Sequence, residues 1–233
     1  MIYVTSDLHG YPVEDFKALL QKAEFSDDDF CYVLGDVIDR GSECVELLEW
    51  ISCQPNMELL LGNHEAMMLM CDFLFKPVTE ETVAELTEQQ LDLFSAWQEN
   101  GGDTTVQGLK TLSPDRIDGL VEYLRESPVY TVVTAGEKDF LLVHSGLENF
   151  DKSRPLSSYT ANEMIWCRPT WDDRYFDNAI TVFGHTPTLA FGPEYKGRMV
   201  QTDTWIDIDT GAACGLHPML LRLDDLQPFY VDE

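Results

Sequence analysis

The sequence predicts an α/β domain built on two sheets. Three observations carry this. Up to Glu65, short apolar runs of strand length alternate with apolar residues at helical spacing. The second half is rich in further strand-length runs. The polar clusters with chemical potential fall just after strand-like runs, where parallel α/β sheets gather their functional groups.

Residues 2–6 read as a first strand ending in a polar turn. Residues 12–24 read as a helix, because Val13, Phe16, Leu19 and Leu20 recur at its period. Residues 30–34 form a second apolar run. Cys44, Val45, Leu47, Leu48 and Ile51 mark a second helix, and residues 57–61 a third strand. This βαβαβ order argues for a parallel sheet with helices on its faces. Residues 66–127 read as mostly helical, with Val83, Leu86, Leu93, Phe94 and Trp97 as an apolar stripe. Asn100-Gly101-Gly102 is a helix stop or turn, and Ser113-Pro114 a cap followed by a first-turn proline. The segment reads as core-covering helices, with a cap shaping access to a site as the functional alternative. Residues 129–134, 140–144, 180–183, 205–208 and 219–223 are candidate strands, and 149–177 is irregular or helical. With no internal repeat or clear linker, residues 1–233 are expected to form one domain, with 66–127 as a cap-like segment.

The 233 residues are 44% hydrophobic and 24% charged, which suits a globular chain with a substantial core. No apolar run is long enough to cross a bilayer and no secretory pattern opens the chain, so the cytoplasm is the expected location. The six cysteines form no C-x-x-C pair and are expected to be reduced, mostly buried thiols. The net charge of −27 disfavours nucleic acid and anionic membrane as partners. If the substrate carries phosphate, this charge repels it over long range, and bound divalent cations would supply the local positive charge needed.

Four of the five histidines share one setting. Asp7-Leu8-His9-Gly10, Gly62-Asn63-His64-Glu65, Val143-His144-Ser145-Gly146 and Gly184-His185-Thr186-Pro187 each follow an apolar run, beside small or turn-forming residues. A fifth polar cluster, Gly35-Asp36-Val37-Ile38-Asp39-Arg40-Gly41, stands after the second strand. Imidazole, carboxylate and amide oxygen suit manganese, iron or zinc, and no thiolate is implicated. The set exceeds what one cation needs. Two cations sharing a carboxylate account for it better, as in two-metal hydrolytic sites. His217 reads as an ordinary loop histidine, and Glu65 as a carboxylate at a helix start. Asp207, Asp209 and Gly211 read as a strand end supporting the site.

In their order along the chain these boxes resemble the phosphoprotein phosphatase branch of the calcineurin-like metallophosphoesterases, in its short bacterial and phage-type form. The resemblance implies a four-layer α/β/β/α sandwich of two mixed β-sheets flanked by helices. It implies Asp7, His9 and Asp36 as ligands of one ion. Asp36 would bridge to a second ion completed by Asn63, His144 and His185, and water between the ions would be the nucleophile. Manganese is the expected metal, with iron or zinc as alternatives. His64, held by Asp39, would be the general acid, and Arg40 and Arg168 would grip phosphate, with Asn63 beside them. Ser6 stands where the family often has glycine. The Ser-Ala-Pro-Asn-Tyr segment of the eukaryotic enzymes is absent, so toxin sensitivity and regulatory-subunit binding are not expected. The implied activity is a serine/threonine phosphatase acting on a phosphoprotein or small phosphoester. The alternative is a symmetrical hydrolase of dinucleoside polyphosphates such as diadenosine tetraphosphate. A scaffold that had lost catalysis should lack ligands or the general acid, and here every box is intact.

Overall fold

A computed structural model describes residues 1–76 and 79–232. Pro77 and Val78, within the expected helical segment, and Glu233 lie outside the described residues. The strands in chain order are β1 (Ile2–Thr5), β2 (Phe30–Val33), β3 (Met57–Leu59), β4 (Tyr130–Ala135), β5 (Lys138–Val143), β6 (Ala179–Phe183), β7 (Val200–Gln201), β8 (Trp205–Asp207), β9 (Met219–Arg222) and β10 (Gln227–Tyr230). They form two five-stranded sheets, ordered β10-β9-β1-β2-β3 and β4-β5-β6-β8-β7. Each has a parallel trio: β1, β2 and β3 in the first, β5, β6 and β8 in the second. Antiparallel strands complete both sheets.

Alternation along the strands sorts side chains into layers, because successive residues point to opposite faces. Val4, Leu142, Val182, Ile206 and Leu221 meet between the sheets in one buried cluster with Leu34, Leu60 and Phe140. Their neighbours Tyr3 and Leu220 face the other way, into the helical layer. Leu141, Phe183 and Trp205 face outward from the second sheet. Burying each large apolar side chain contributes roughly 1.5–3 kcal/mol. Truncating Phe140 to alanine would cost about 3–5 kcal/mol once the cavity is included.

The outer face of the first sheet carries α1 (Val13–Lys22), α2 (Cys44–Ser52), α3 (Asn63–Met70), α5 (Glu88–Glu99), α6 (Asp103–Leu109) and α7 (Pro114–Glu126), with the short α4 (Glu80–Ala84) between α3 and α5 in the chain. Phe16, Leu47, Met68, Trp97, Leu120 and Leu124 from this layer join Tyr3 in one core. The outer layer of the second sheet is thinner. It holds α8 (Ala161–Ile165) and irregular chain packed through Met164 and Tyr175.

Helix ends follow local chemistry. Thr87 caps α5 by accepting from the Gln90 backbone, while the Gln90 side chain reaches back. Pro114 opens α7 in the first turn, where its missing N–H costs nothing. The expected stripe along 66–127 holds only in part: Trp97 is fully buried and Leu93 and Phe94 pack against the core, whereas Val83 and Leu86 are exposed. Those two lie on a five-residue helix and the turn after it, too short to lay a continuous face on the sheet.

Two strands went unanticipated. β7 has two residues, and β10 (Gln-Pro-Phe-Tyr) contains Pro228, which an edge strand tolerates. All six cysteines are free: Cys31, Cys44 and Cys71 are buried, while Cys53 and Cys214 are exposed. Among the described residues no helix is long and apolar enough to cross a membrane.

Candidate metal centre and phosphate site

The carboxyl ends of the parallel strands converge. β1 leads to Asp7 and His9, β2 to Asp36, Asp39 and Arg40, and β3 to Asn63 and His64 at the start of α3. β5 leads to His144 and β6 to His185. The exits are tied to one another. The backbone N–H groups of Asp7, His9 and Gly10 donate to the carbonyls of Gly35, Asp36 and Val37, and Gly184 donates to His144. Gly35 sits where three exits meet. It has φ +85°, and a Cβ there would stand 2.6 Å from Gly62 Cα and 2.7 Å from His144 Nδ1. Asp7, His9, Asp36, Asp39, Arg40 and His185 all have positive φ, six of the nine non-glycine residues that do among the described residues. Backbone strain of this kind, of order 1–3 kcal/mol per residue, clusters where a fold presents functional side chains.

Asp36 is the hub. One oxygen accepts the His64 backbone N–H at 3.0 Å and lies 3.4 Å from His144 Nε2. The other lies 3.7 Å from His9 Nε2 and 3.9 Å from His64 Nε2. Burial favours its protonated form, but His144, His64 and His9 outweigh burial and hold Asp36 well below the usual carboxylate range. The ligating atoms of His9, Asp36 and His64 lie within 4.8 Å of one another, as do those of Asp36, His144 and His185. Among the described residues, then, Asp36 joins two triads. Asp7 belongs to neither. Its Oδ2 accepts from the Ser6 hydroxyl and from the His185 N–H at 2.9 Å, and burial, aided by Asp36, pushes it up to about 6.

The imidazoles are oriented from behind, which fixes the tautomer each presents to the centre. His9 Nδ1 donates to the Ile38 carbonyl at 3.0 Å and His144 Nδ1 to that of Leu34 at 2.6 Å. Their Nε2 atoms are left facing Asp36. Asn63 Oδ1 lies 2.9 Å from His144 Nε2. Burial pulls His144 down, but Asp36 and Asp7 overcome it and raise it to about 10. Burial, with repulsion from His144, pulls His185 down to about 2. The His185 Nε2 is buried with no hydrogen-bond partner. Such an atom costs about 1–3 kcal/mol unless something coordinates it. These nitrogen and oxygen donors, with no thiolate, fit two divalent cations of the manganese, iron or zinc type.

A second network stands beside the first. Asp39, fully buried, accepts from His64 Nδ1 at 2.6 Å, Trp97 Nε1 at 2.8 Å and the Thr105 hydroxyl at 2.5 Å. Arg40 donates to His64 Nε2 at 3.0 Å, to His9 Nε2 at 3.3 Å and to the Asn100 carbonyl at 3.3 Å. Its backbone N–H reaches the carbonyl of Gly101, whose φ is +100° and where a Cβ would press on Arg40 Cγ at 2.6 Å. Trp97, Asn100, Gly101 and Thr105 were not singled out as site residues. Trp97 reads in sequence as core and Thr105 as an ordinary helix residue. The glycine pair was the available signal, and it marked only a turn. Burial lowers His64, but the charge of Asp36 and the hydrogen bond and charge of Asp39 outweigh that and raise it from its ordinary value.

Arg168 is exposed, and its Nη1 lies 3.4 Å from both the His185 carbonyl and the Thr186 hydroxyl. Glu65 caps α3 and, buried, accepts the backbone N–H groups of Asp36 and Val37 at 2.8 Å and of Gly62 at 3.1 Å. It therefore braces the β2 exit as well as the helix start. Burial, reinforced by Asp36, pushes it up to about 7. Asp207 and Asp209 are buried behind Asp7, and burial raises both well above the usual range. His217 lies elsewhere, 3.0 Å from the Tyr11 hydroxyl.

The calcineurin-like phosphoesterase family profile matches residues 1–208, and the chain belongs to that family. That family implies a dinuclear divalent metal site, for which the two triads on Asp36 are candidate ligands. Among its relatives, the symmetrical bis(5'-nucleosyl)-tetraphosphatase of Haemophilus ducreyi is 30% identical over 188 residues, covering 79% of this chain and 58% of that protein. The asymmetrical bis(5'-nucleosyl)-tetraphosphatase of Bacillus velezensis is 25% identical, covering 91% and 84%. The chain spans only about three-fifths of the length of its symmetrical relatives. A solved structure of a proposed diadenosine tetraphosphatase superposes with TM-score 0.65 at 15% identity, covering 98% of this chain and 91% of that one. That likeness concerns the fold.

Proposed function

We propose that the chain hydrolyses the phosphoanhydride of dinucleoside tetraphosphates, symmetrically, releasing two nucleoside diphosphates. The observation that carries this reading is the kinship to enzymes named for that reaction, over 79% of the chain. It reverses the ranking expected from the motifs, in which a phosphoprotein came first. Both curated relatives reported above are named for bis(5'-nucleosyl)-tetraphosphate hydrolysis. In this reading Asp7, His9, Asp36, Asn63, His144 and His185 would hold two cations, in one domain whose helical segment flanks the site.

When bound, the cations would supply Lewis-acid charge and make water acidic enough to attack near neutral pH. The chain's own residues do the rest. Arg40 and Arg168 hold the phosphate chain, since a guanidinium is always charged and forks onto phosphate oxygens. Arg40 can only donate, so its bond to His64 Nε2 meets a bare lone pair. When Arg40 turns to phosphate, Nε2 is released, and Asp36 and Asp39 favour a proton there. That proton passes to the leaving phosphate oxygen as the P–O bond breaks and the water oxygen bonds to phosphorus. Asp39 keeps Nδ1 protonated and the ring aimed.

The test is to incubate the manganese-loaded full chain with diadenosine tetraphosphate and, separately, a phosphoserine peptide. Products are resolved by anion exchange. ADP as sole nucleotide product is expected. AMP with ATP would contradict the symmetrical reading, and phosphate release from the peptide without nucleotide products would overturn the proposal.

A further inference from the structure

Eight arginines serve a chain of net charge −27. Five of them, Arg116, Arg125, Arg154, Arg174 and Arg222, are paired with carboxylates. Arg40 and Arg168 have no carboxylate partner among the described residues, although the sequence has 42 acidic residues. Two residues before Arg168 stands Trp166. It is the C-cap of α8 and 43% exposed; Trp171 is exposed too, whereas Trp97 and Trp205 are fully buried. Its ring meets that of His185 edge to face, with centroids 6.0 Å apart and planes at 87°. This contact fixes the indole beside the candidate metal centre and leaves aromatic surface open. Beside it opens a cavity of about 390 Å³, lined by Trp166, Arg168, Asn149 and Phe150 and also by the carboxylates Glu148, Asp172 and Asp173. An exposed tryptophan on a fixed backbone, next to an unpaired guanidinium, combines a stacking face with an anion grip.

We propose that Trp166 and the adjoining cavity form a nucleobase subsite, in which the indole stacks on one base of the substrate while Arg168 holds the phosphates leading to it. This rests on the dinucleoside polyphosphate reading and says where its base specificity resides: in the 149–178 region rather than in the helices of 66–127. Those helices bury Trp97, Leu120 and Leu124 against the first sheet. A base has a π-face at a fixed remove from its phosphates, which matches an aromatic platform set beside an arginine. A serine phosphate offers no such ring. A phosphotyrosine would place its ring directly on the reacting phosphate, and it is the competing occupant in the test.

The experiment compares the manganese-loaded wild type with Trp166→Ala and Trp166→Phe on diadenosine tetraphosphate, inorganic tetrapolyphosphate and a phosphotyrosine peptide. Wild-type turnover of diadenosine tetraphosphate tests the functional reading. The variants test the subsite. Loss of one stacked base should raise KM for diadenosine tetraphosphate about tenfold or more relative to the change seen with tetrapolyphosphate. Trp166→Phe should recover most of the difference. A binding readout independent of turnover is quenching of tryptophan emission by ADP, which should exceed that by pyrophosphate and vanish in Trp166→Phe. Equal KM changes on the two polyphosphates, or quenching that survives in Trp166→Phe, would overturn the subsite while leaving the functional reading intact. A KM increase confined to the phosphotyrosine peptide would assign the platform to the other occupant and overturn it as well.

Discussion

At Asp36 a single carboxylate answers to three imidazoles, and its two oxygens face opposite ways. That geometry gives the division of labour around it. His64 Nε2 falls in a triad with His9 and Asp36, so it stands where a ligand or a general acid could act. A ligand and a general acid behave differently on substitution. If His64 donates a proton, His64→Asn should lower turnover by about 10²–10⁴ on a phosphoserine peptide or alkyl phosphate. Metal content should stay unchanged by elemental analysis. The loss on diadenosine tetraphosphate should be smaller, since a phosphate leaving group ionises near pH 6 and needs less help than an alkoxide. Loss of metal in this variant would make His64 a ligand instead. This part of the site was legible in sequence, because histidine and aspartate beside small residues at strand exits stand out chemically. Asp39's other partners were not. A threonine or tryptophan declares a hydrogen bond to a distant carboxylate only once the chain is folded.

Between strands and site, the element that matters is the corner joining α5 to α6. It sends Trp97 and Thr105 to Asp39, and Asn100 and Gly101 to Arg40. The expected choice for 66–127 lay between core cover and a cap. The helices cover the core and, at this corner, brace the residues expected to protonate the leaving group. Thr105→Val should lower kcat about tenfold with little change in KM, from the loss of a roughly 1–3 kcal/mol hydrogen bond to a buried carboxylate. Thr105→Ser should restore it, and steady-state kinetics on both variants check this.

At α8, hydrogen bonds from Arg154 and Thr160 hold the Glu163 carboxylate down to about 2, against an ordinary 4.5. Its folded value is depressed, so it stabilises the fold above about pH 4.5, and that stability is lost as pH falls toward 2. Melting temperatures of wild type and Glu163→Gln should therefore differ above pH 4.5 and converge near pH 2. A constant gap across that range would contradict the assignment.

For the whole molecule, the parallel trios were predictable in part. Residues 2 to 65 alternate strand and helix periodicities cleanly, and the parallel trio of the first sheet follows from them. The pairing of β9 and β10 onto that sheet was not legible, since it joins strands some 200 residues apart in sequence and β10 contains a proline. The thin outer layer over the second sheet was hidden for a similar reason. Aromatic residues in irregular chain, such as Tyr175 beneath Phe150, carry no period. What the two sheets accomplish together is to deliver Asp7, His9, Asp36 and Asn63 from one side and His144 and His185 from the other. The most direct test of that convergence is anomalous diffraction from crystals grown with manganese. Two peaks about 3.5–4 Å apart, sharing Asp36, one against His9 and the other against His144 and His185, are the predicted result. A single peak, or manganese bound away from Asp36, would contradict it.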